Sequence, residues 1–138
     1  MTADKPIATS TVLILIVEDD VSLQENLQVY LTAQNFRVLQ AGDVDEAVAI
    51  LKKETPAIIL LDLLLPGKHG TVLLKLLKKE GSRIPIIVIT NTDAVGRREE
   101  CMQLGSSDFI IKSNTPLKEL LRLIVQYCDK TGGTKVYV

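Results

Sequence analysis

Five side chains in this sequence could work together on a phosphate. Glu18 and Asp19 follow the apolar run VLILIV, Asp62 follows AIILL, Thr90 follows PIIVI, and Lys112 follows DFII. Adjacent carboxylates repel, and more strongly at the edge of a low-dielectric core. A divalent cation makes such a cluster tolerable, and oxygen-only ligands suit Mg²⁺ better than zinc or copper. Mg²⁺ keeps several waters and favours sites where a phosphate completes its shell. Lys112 would bring positive charge to that phosphate, and Thr90 could donate a hydrogen bond to it. Each residue also has a plainer role: Asp20 can cap the next helix, Asp62 can form a turn, and a lone Thr or Lys can simply be solvated. Their common place at strand ends favours the site.

The elements that must hold them are legible as an alternation. Strand-like runs lie at Val12–Val17, Phe36–Gln40, Ala57–Leu61, Pro85–Ile89 and Asp108–Ile111. Three are short, β-branched and nearly all apolar, as expected of parallel strands covered on both faces. Between them run amphipathic stripes. Leu23, Leu27, Tyr30 and Leu31 form the first, with Ser22 and Glu25 placed as a capping box. Asp43 and Glu46 could cap the second, whose buried side would be Ala47, Ile50 and Leu51. The third, Thr71–Glu80, would bury Val72, Leu73, Leu76 and Leu77 and end at Gly81. The segment Asp93–Leu104 is the weakest helix, charged at its centre and thinly apolar. The last, with Pro116 at its first turn, carries Leu117, Leu120, Leu121, Ile124, Val125 and Cys128. Five βα units imply a doubly wound α/β fold whose ligands bind beyond the carboxyl ends of the strands.

Bulk properties bound the rest. A chain of 138 residues suits one domain, and a formal net charge of −1 offers no basic surface for nucleic acid or membrane. Cys101 and Cys128 lack the spacing of a zinc site or the density of a disulfide scaffold and read as reduced, cytosolic thiols. No apolar run reaches membrane-span length. Residues 1–10 read as a flexible lead-in, 11–129 as the domain, and 130–138 as a tail. The sole histidine, His69, has no ligand or triad partner nearby in sequence and reads as a surface loop residue.

Taken as a set, the motifs VEDD, D-x-x-L-P-G-x-x-G (Asp62 to Gly70), Ile89-Thr90 and L-G-S-S-D-F-x-x-K (Leu104 to Lys112) resemble the receiver domain of two-component response regulators. The resemblance implies a CheY-like, flavodoxin-like sheet of five parallel strands in the order 2-1-3-4-5. It further implies that Asp62 accepts a phosphoryl group from a sensor histidine kinase or phosphotransfer protein. Glu18, Asp19, Asp62 and the backbone carbonyl of Leu64 would hold Mg²⁺. Thr90 and Lys112 would bind the phosphoryl group, and Phe109 would be the aromatic switch. Such a protein is a cytoplasmic signalling switch and not an enzyme. It would act on a downstream protein target through its fourth helix, fifth strand and fifth helix, the face by which the family usually forms homodimers. Either it stands alone or it is the receiver piece of a longer regulator.

Three departures stand out. Ser113 replaces the usual proline after the lysine, Asn91 replaces a small residue after the hydroxyl, and Phe109 lacks a tyrosine's hydroxyl. Apolar Leu64 beside the phosphoacceptor should shield a phosphoryl group from water and slow its loss. A phosphatase with an aspartate nucleophile would want a second Asp at Leu64, and a nucleotide or flavin binder would be repelled by the acids after the first strand. A receiver-like docking module working without phosphorylation is the alternative that the departures leave open.

Overall fold

The computed structural model describes residues 12–91 and 95–130, with backbone only for 129 and 130. The lead-in, Asp93 and residues 131–138 of the tail lie outside them. The strands are β1 (Leu13–Val17), β2 (Arg37–Ala41), β3 (Ile58–Leu61), β4 (Ile86–Thr90) and β5 (Asp108–Ile111). They alternate with α1 (Val21–Ala33), α2 (Val44–Leu51), α3 (Gly70–Lys79), α4 (Arg97–Gln103) and α5 (Leu117–Lys130). All strand pairs are parallel, in the order β2-β1-β3-β4-β5, as the resemblance implied.

Why these runs become strands is visible in their burial. Every residue of β1, β3 and β4 is buried, whereas edge strands β2 and β5 are only partly so. Because successive side chains alternate between faces, the apolar runs feed two cores at once. Leu15, Val17, Ile59, Leu61, Val88 and Phe109 face α2, α3 and α4, while Ile14, Ile16, Ile58, Leu60, Ile87 and Ile89 face α1 and α5. Each fully buried Leu or Ile contributes roughly 1.5–3 kcal/mol, so these two layers make the sheet a rigid platform.

Local details differ from the sequence expectations in three places. The Ser22–Glu25 capping box does not form; Asp20 caps α1, as its place after β1 allowed, accepting from the Leu23 N–H at 3.2 Å. In α3 the buried apolar side chains are Leu73, Leu74 and Leu77, while Val72 is 39% exposed. The helix is rotated about its axis relative to the stripe read from its spacing, because the sheet and α2 both cover it. Helix α4 begins only at Arg97, since Gly96 stands before it at φ +81° without a side-chain cap. Cys101 is its single buried residue, so α4 is the least anchored helix. Asp43 does cap α2, accepting from the Glu46 N–H at 2.8 Å, and Gly81 follows α3 at φ +72°.

Candidate functional site

The strand order reverses between β1 and β3, which opens a crevice above their carboxyl ends. The register places Val17 beside Leu61 and Leu61 beside Val88, and Thr90 beside Ile111. The next residues along β1, β3 and β5 are therefore Glu18, Asp62 and Lys112, on one rim. The ladder also continues past Val17: Glu18 N–H donates to the Ala41 carbonyl and Asp62 N–H to the Val17 carbonyl, each at 2.9 Å.

Glu18, Asp19 and Asp62 can each offer an oxygen within 4.8 Å of the others. Glu18 and Asp62 are buried, and Asp19 is exposed to solvent. Asp20 turns away to cap α1, but its N–H donates to Glu18 Oε2 at 3.1 Å and so draws that carboxylate inward. Lys112 Nζ lies 2.7 Å from Glu18 Oε1 and 3.4 Å from Asp62 Oδ2. Asp62 Oδ1 accepts a longer bond, 3.4 Å, from the Leu64 N–H.

Burial pushes the Glu18 carboxyl above its ordinary range, although the Lys112 hydrogen bond and the Asp20 N–H oppose this and the Asp62 charge adds to it. Burial also disfavours the Lys112 ammonium. The hydrogen bond to Glu18 and the charge of Asp62 outweigh it and hold the lysine above its usual value. The result is a partly dry pocket with an acid excess: among the described residues, three carboxylates face one ammonium. An all-oxygen donor set with one solvent-facing member fits a hard divalent cation that retains water. Glu18, Asp19 and Asp62 are the residues that could hold it.

Thr90 closes β4 and is fully buried. Leu64 lies at the pocket's edge, 57% exposed, and Asn91 is exposed as well. No described peptide bond is cis, so Lys112–Ser113 is trans. A single 3₁₀ turn, Lys112–Asn114, follows, braced by Thr115 Oγ1 on the Ile111 carbonyl at 3.0 Å. Phe109 does not reach the pocket. Its ring is 1% exposed in the core, beside Val88 in the register.

Four contributors escaped the sequence reading. The Gln24 side-chain amide donates to the Glu18 carbonyl, fixing the backbone of the acidic pair. His69 is the N-cap of α3: its Nδ1 accepts from the Thr71 N–H at 3.2 Å and lies 2.9 Å from the Thr71 hydroxyl. This corrects its assignment as a surface loop residue, since it is half-buried and closes the Asp62 loop. Gly70 packs against Asp62 so closely that a Cβ there would sit 2.5 Å from the Asp62 carbonyl oxygen. Arg98 spans from α4 to β5, with its guanidinium 5.1 Å from the Phe109 ring centroid and Nη2 donating to the Phe109 carbonyl at 3.0 Å. Only Gly70 had a sequence signal, the glycine ending the D-x-x-L-P-G-x-x-G motif.

A doubly wound sheet with acids at its switch point and a lysine across from them defines an acidic-pocket α/β domain. The chain belongs to the response regulator receiver domain family, which it matches over residues 14–125. Domains of this family are signalling switches of two-component systems and not classical enzymes. The chain is 34% identical over 122 residues to the probable transcriptional regulator ycf27 of Porphyridium aerugineum, covering 87% of this chain and 50% of that protein. It spans about half the length of the curated relatives it matches. Among solved structures, the BeF3-activated receiver domain of Klebsiella pneumoniae RstA is 30% identical, with a TM-score of 0.76, covering 83% of this chain and 97% of that one. The receiver domain of sensor histidine kinase PA1611 from Pseudomonas aeruginosa, solved with a magnesium ion in its active-site cleft, is 29% identical with a TM-score of 0.76, covering 85% of this chain and 97% of that one. Among the described residues, no helix is long and apolar enough to cross a membrane.

Proposed function

We propose that this domain is a phosphorylation-dependent switch in which Asp62 takes a phosphoryl group from a phosphohistidine of a sensor kinase or phosphotransfer protein. One observation carries the reading: Glu18, Asp19 and Asp62 converge within 4.8 Å, with the Lys112 ammonium bonded to two of them. Clustered acids facing a lysine are costly to build and suited to a phosphoryl group.

In the reaction, an Asp62 oxygen forms a bond to phosphorus while the P–N bond breaks. The electron pair leaves with the donor imidazole, which takes up a proton. Glu18, Asp19, Asp62 and the Leu64 carbonyl would hold Mg²⁺, which when bound would supply the charge neutralisation that lets the phosphate approach. Lys112 stabilises the phosphoryl oxygens as a point charge, and Thr90 donates to them. The N-cap at His69 and the close seat of Gly70 keep the Asp62 loop from swinging. Leu64 covers the water side, so the phosphoryl group is lost slowly.

The acyl phosphate adds roughly −1.5 to −2 of charge and three acceptor oxygens. Thr90 moves toward it, and the Phe109 and α4 region responds, because α4 is held by little buried surface. The α4–β5–α5 face then controls partner binding, including pairing with a second copy. The receiver itself contacts proteins and not nucleic acid or membrane, and it works in the cytoplasm. Incubation with acetyl phosphate and Mg²⁺ should add one phosphoryl group by intact mass, and Asp62→Ala should abolish it. No gain in the wild type under any condition would leave a docking module that works without phosphorylation.

A further inference from the structure

A groove of about 450 Å³ runs between α2 and α3, away from the acidic pocket. Its floor is two short apolar rows at one-turn spacing, Val44 and Val48 on α2 and Val72 and Leu76 on α3. Val72 is the residue that periodicity would bury and the fold leaves 39% exposed. The rim is basic. Lys75 and Lys79 stand one turn apart on α3 and line the groove. Neither has a carboxylate in ion-pair reach among the described residues. The one acid in the lining, Asp45, is already paired with Lys68.

Like charges at this spacing repel, and an apolar floor beside them stays partly wetted; a single ligand relieves both. It must be apolar on one stripe and acidic on its flank. An open depression between two helices, lined on both at one-turn spacing, matches a third helix laid along it. We propose that the α2–α3 groove docks an amphipathic helix of a partner protein whose apolar stripe is flanked by carboxylates. The site is independent of Asp62 chemistry, although Lys68 belongs to the loop that follows Asp62, so an occupant would touch that loop from its far side.

The test uses two synthetic helix-stabilised peptides with the same leucine stripe, one flanked by Glu and one by Lys. They are titrated into the ¹⁵N-labelled chain without Mg²⁺ or phosphoryl donor. The Glu peptide should shift the amides of Val44, Val48, Val72 and Leu76 and bind at least about tenfold more tightly than the Lys peptide, with the margin shrinking as salt screens the rim. In the Lys75→Glu/Lys79→Glu variant the preference should reverse. Both lysines are exposed, and unchanged amide dispersion checks that the variant is folded. Equal binding of the two peptides, shifts centred elsewhere, no shifts at millimolar Glu peptide, or groove shifts that follow protein concentration alone through self-pairing would each overturn the proposal. Asp62 phosphorylation is read separately by mass, so failure of one reading leaves the other standing.

Discussion

Replacing Lys112 by methionine would keep most of the side chain's length and remove its charge. The ammonium sits 2.7 Å from Glu18 and 3.4 Å from Asp62, whose side chains are 5% and 7% exposed. Without it, two nearly dry carboxylates face each other within 4.8 Å. At that distance, with an effective dielectric constant of about 20, their repulsion is about 3.5 kcal/mol. Leaving buried charge unpaired typically costs about 3–5 kcal/mol, so the two routes agree. The loss should depend on pH. Glu18 already has a raised carboxyl pKa from burial, and losing its lysine partner raises it further. A carboxyl that binds its proton more tightly when folded makes the native state more stable as pH falls toward the unfolded value, and less stable as pH rises through the folded one. Urea unfolding should therefore show Lys112→Met far below wild type at pH 7.5 and much closer at pH 5, with a midpoint loss of at least about 1 M at the higher pH. Wild type alone should also lose stability at strongly alkaline pH, as Lys112, raised when folded, gives up its proton. A variant within about 1 kcal/mol of wild type at pH 7.5, with the same pH profile, would mean that water and not Lys112 balances these acids.

Gly70→Ala would push a methyl against the Asp62 carbonyl oxygen, 2.5 Å away, and Leu63 Cα, 2.8 Å away. Backbone cannot yield as a flexible side chain does, so we expect a loss of about 1–3 kcal/mol in urea and slower phosphorylation by acetyl phosphate. His69→Ala should cost about 1 kcal/mol by removing the α3 cap. In wild type, burial and the neighbouring Arg97 lower the His69 pKa, so the folded state resists the proton that the unfolded chain accepts. This term is fully present above the ordinary histidine range and fades as pH falls toward the folded value; stability curves of the Ala variant should lack it. Arg98→Ala should lose about 0.5–2 kcal/mol from the ring contact and the hydrogen bond to Phe109, while Arg98→Lys, which keeps the charge but not the fork, should recover only part. Urea midpoints of the pair decide it.

Much of this protein is local pattern and could be read without coordinates. All-apolar runs of four to six residues become strands buried on both faces, and stripes near 3.6 residues become helices, because those periods come from backbone geometry alone. The acids and lysine stand one residue past their strands, and parallel strands put all such positions on one edge, so Glu18, Asp62 and Lys112 could be grouped before any distance was known. What the chain's order could not say is how each piece turns to meet its neighbours. The rotation of α3 that buries Leu74 and exposes Val72 depends on the sheet and α2 together. That Lys112 leans on Glu18 more closely than on Asp62, and that Arg98 lies over Phe109, are outcomes of contacts between separate elements. Side-chain contact across elements is settled by packing, where one ångström decides between a hydrogen bond and none, and only the tertiary structure holds that information.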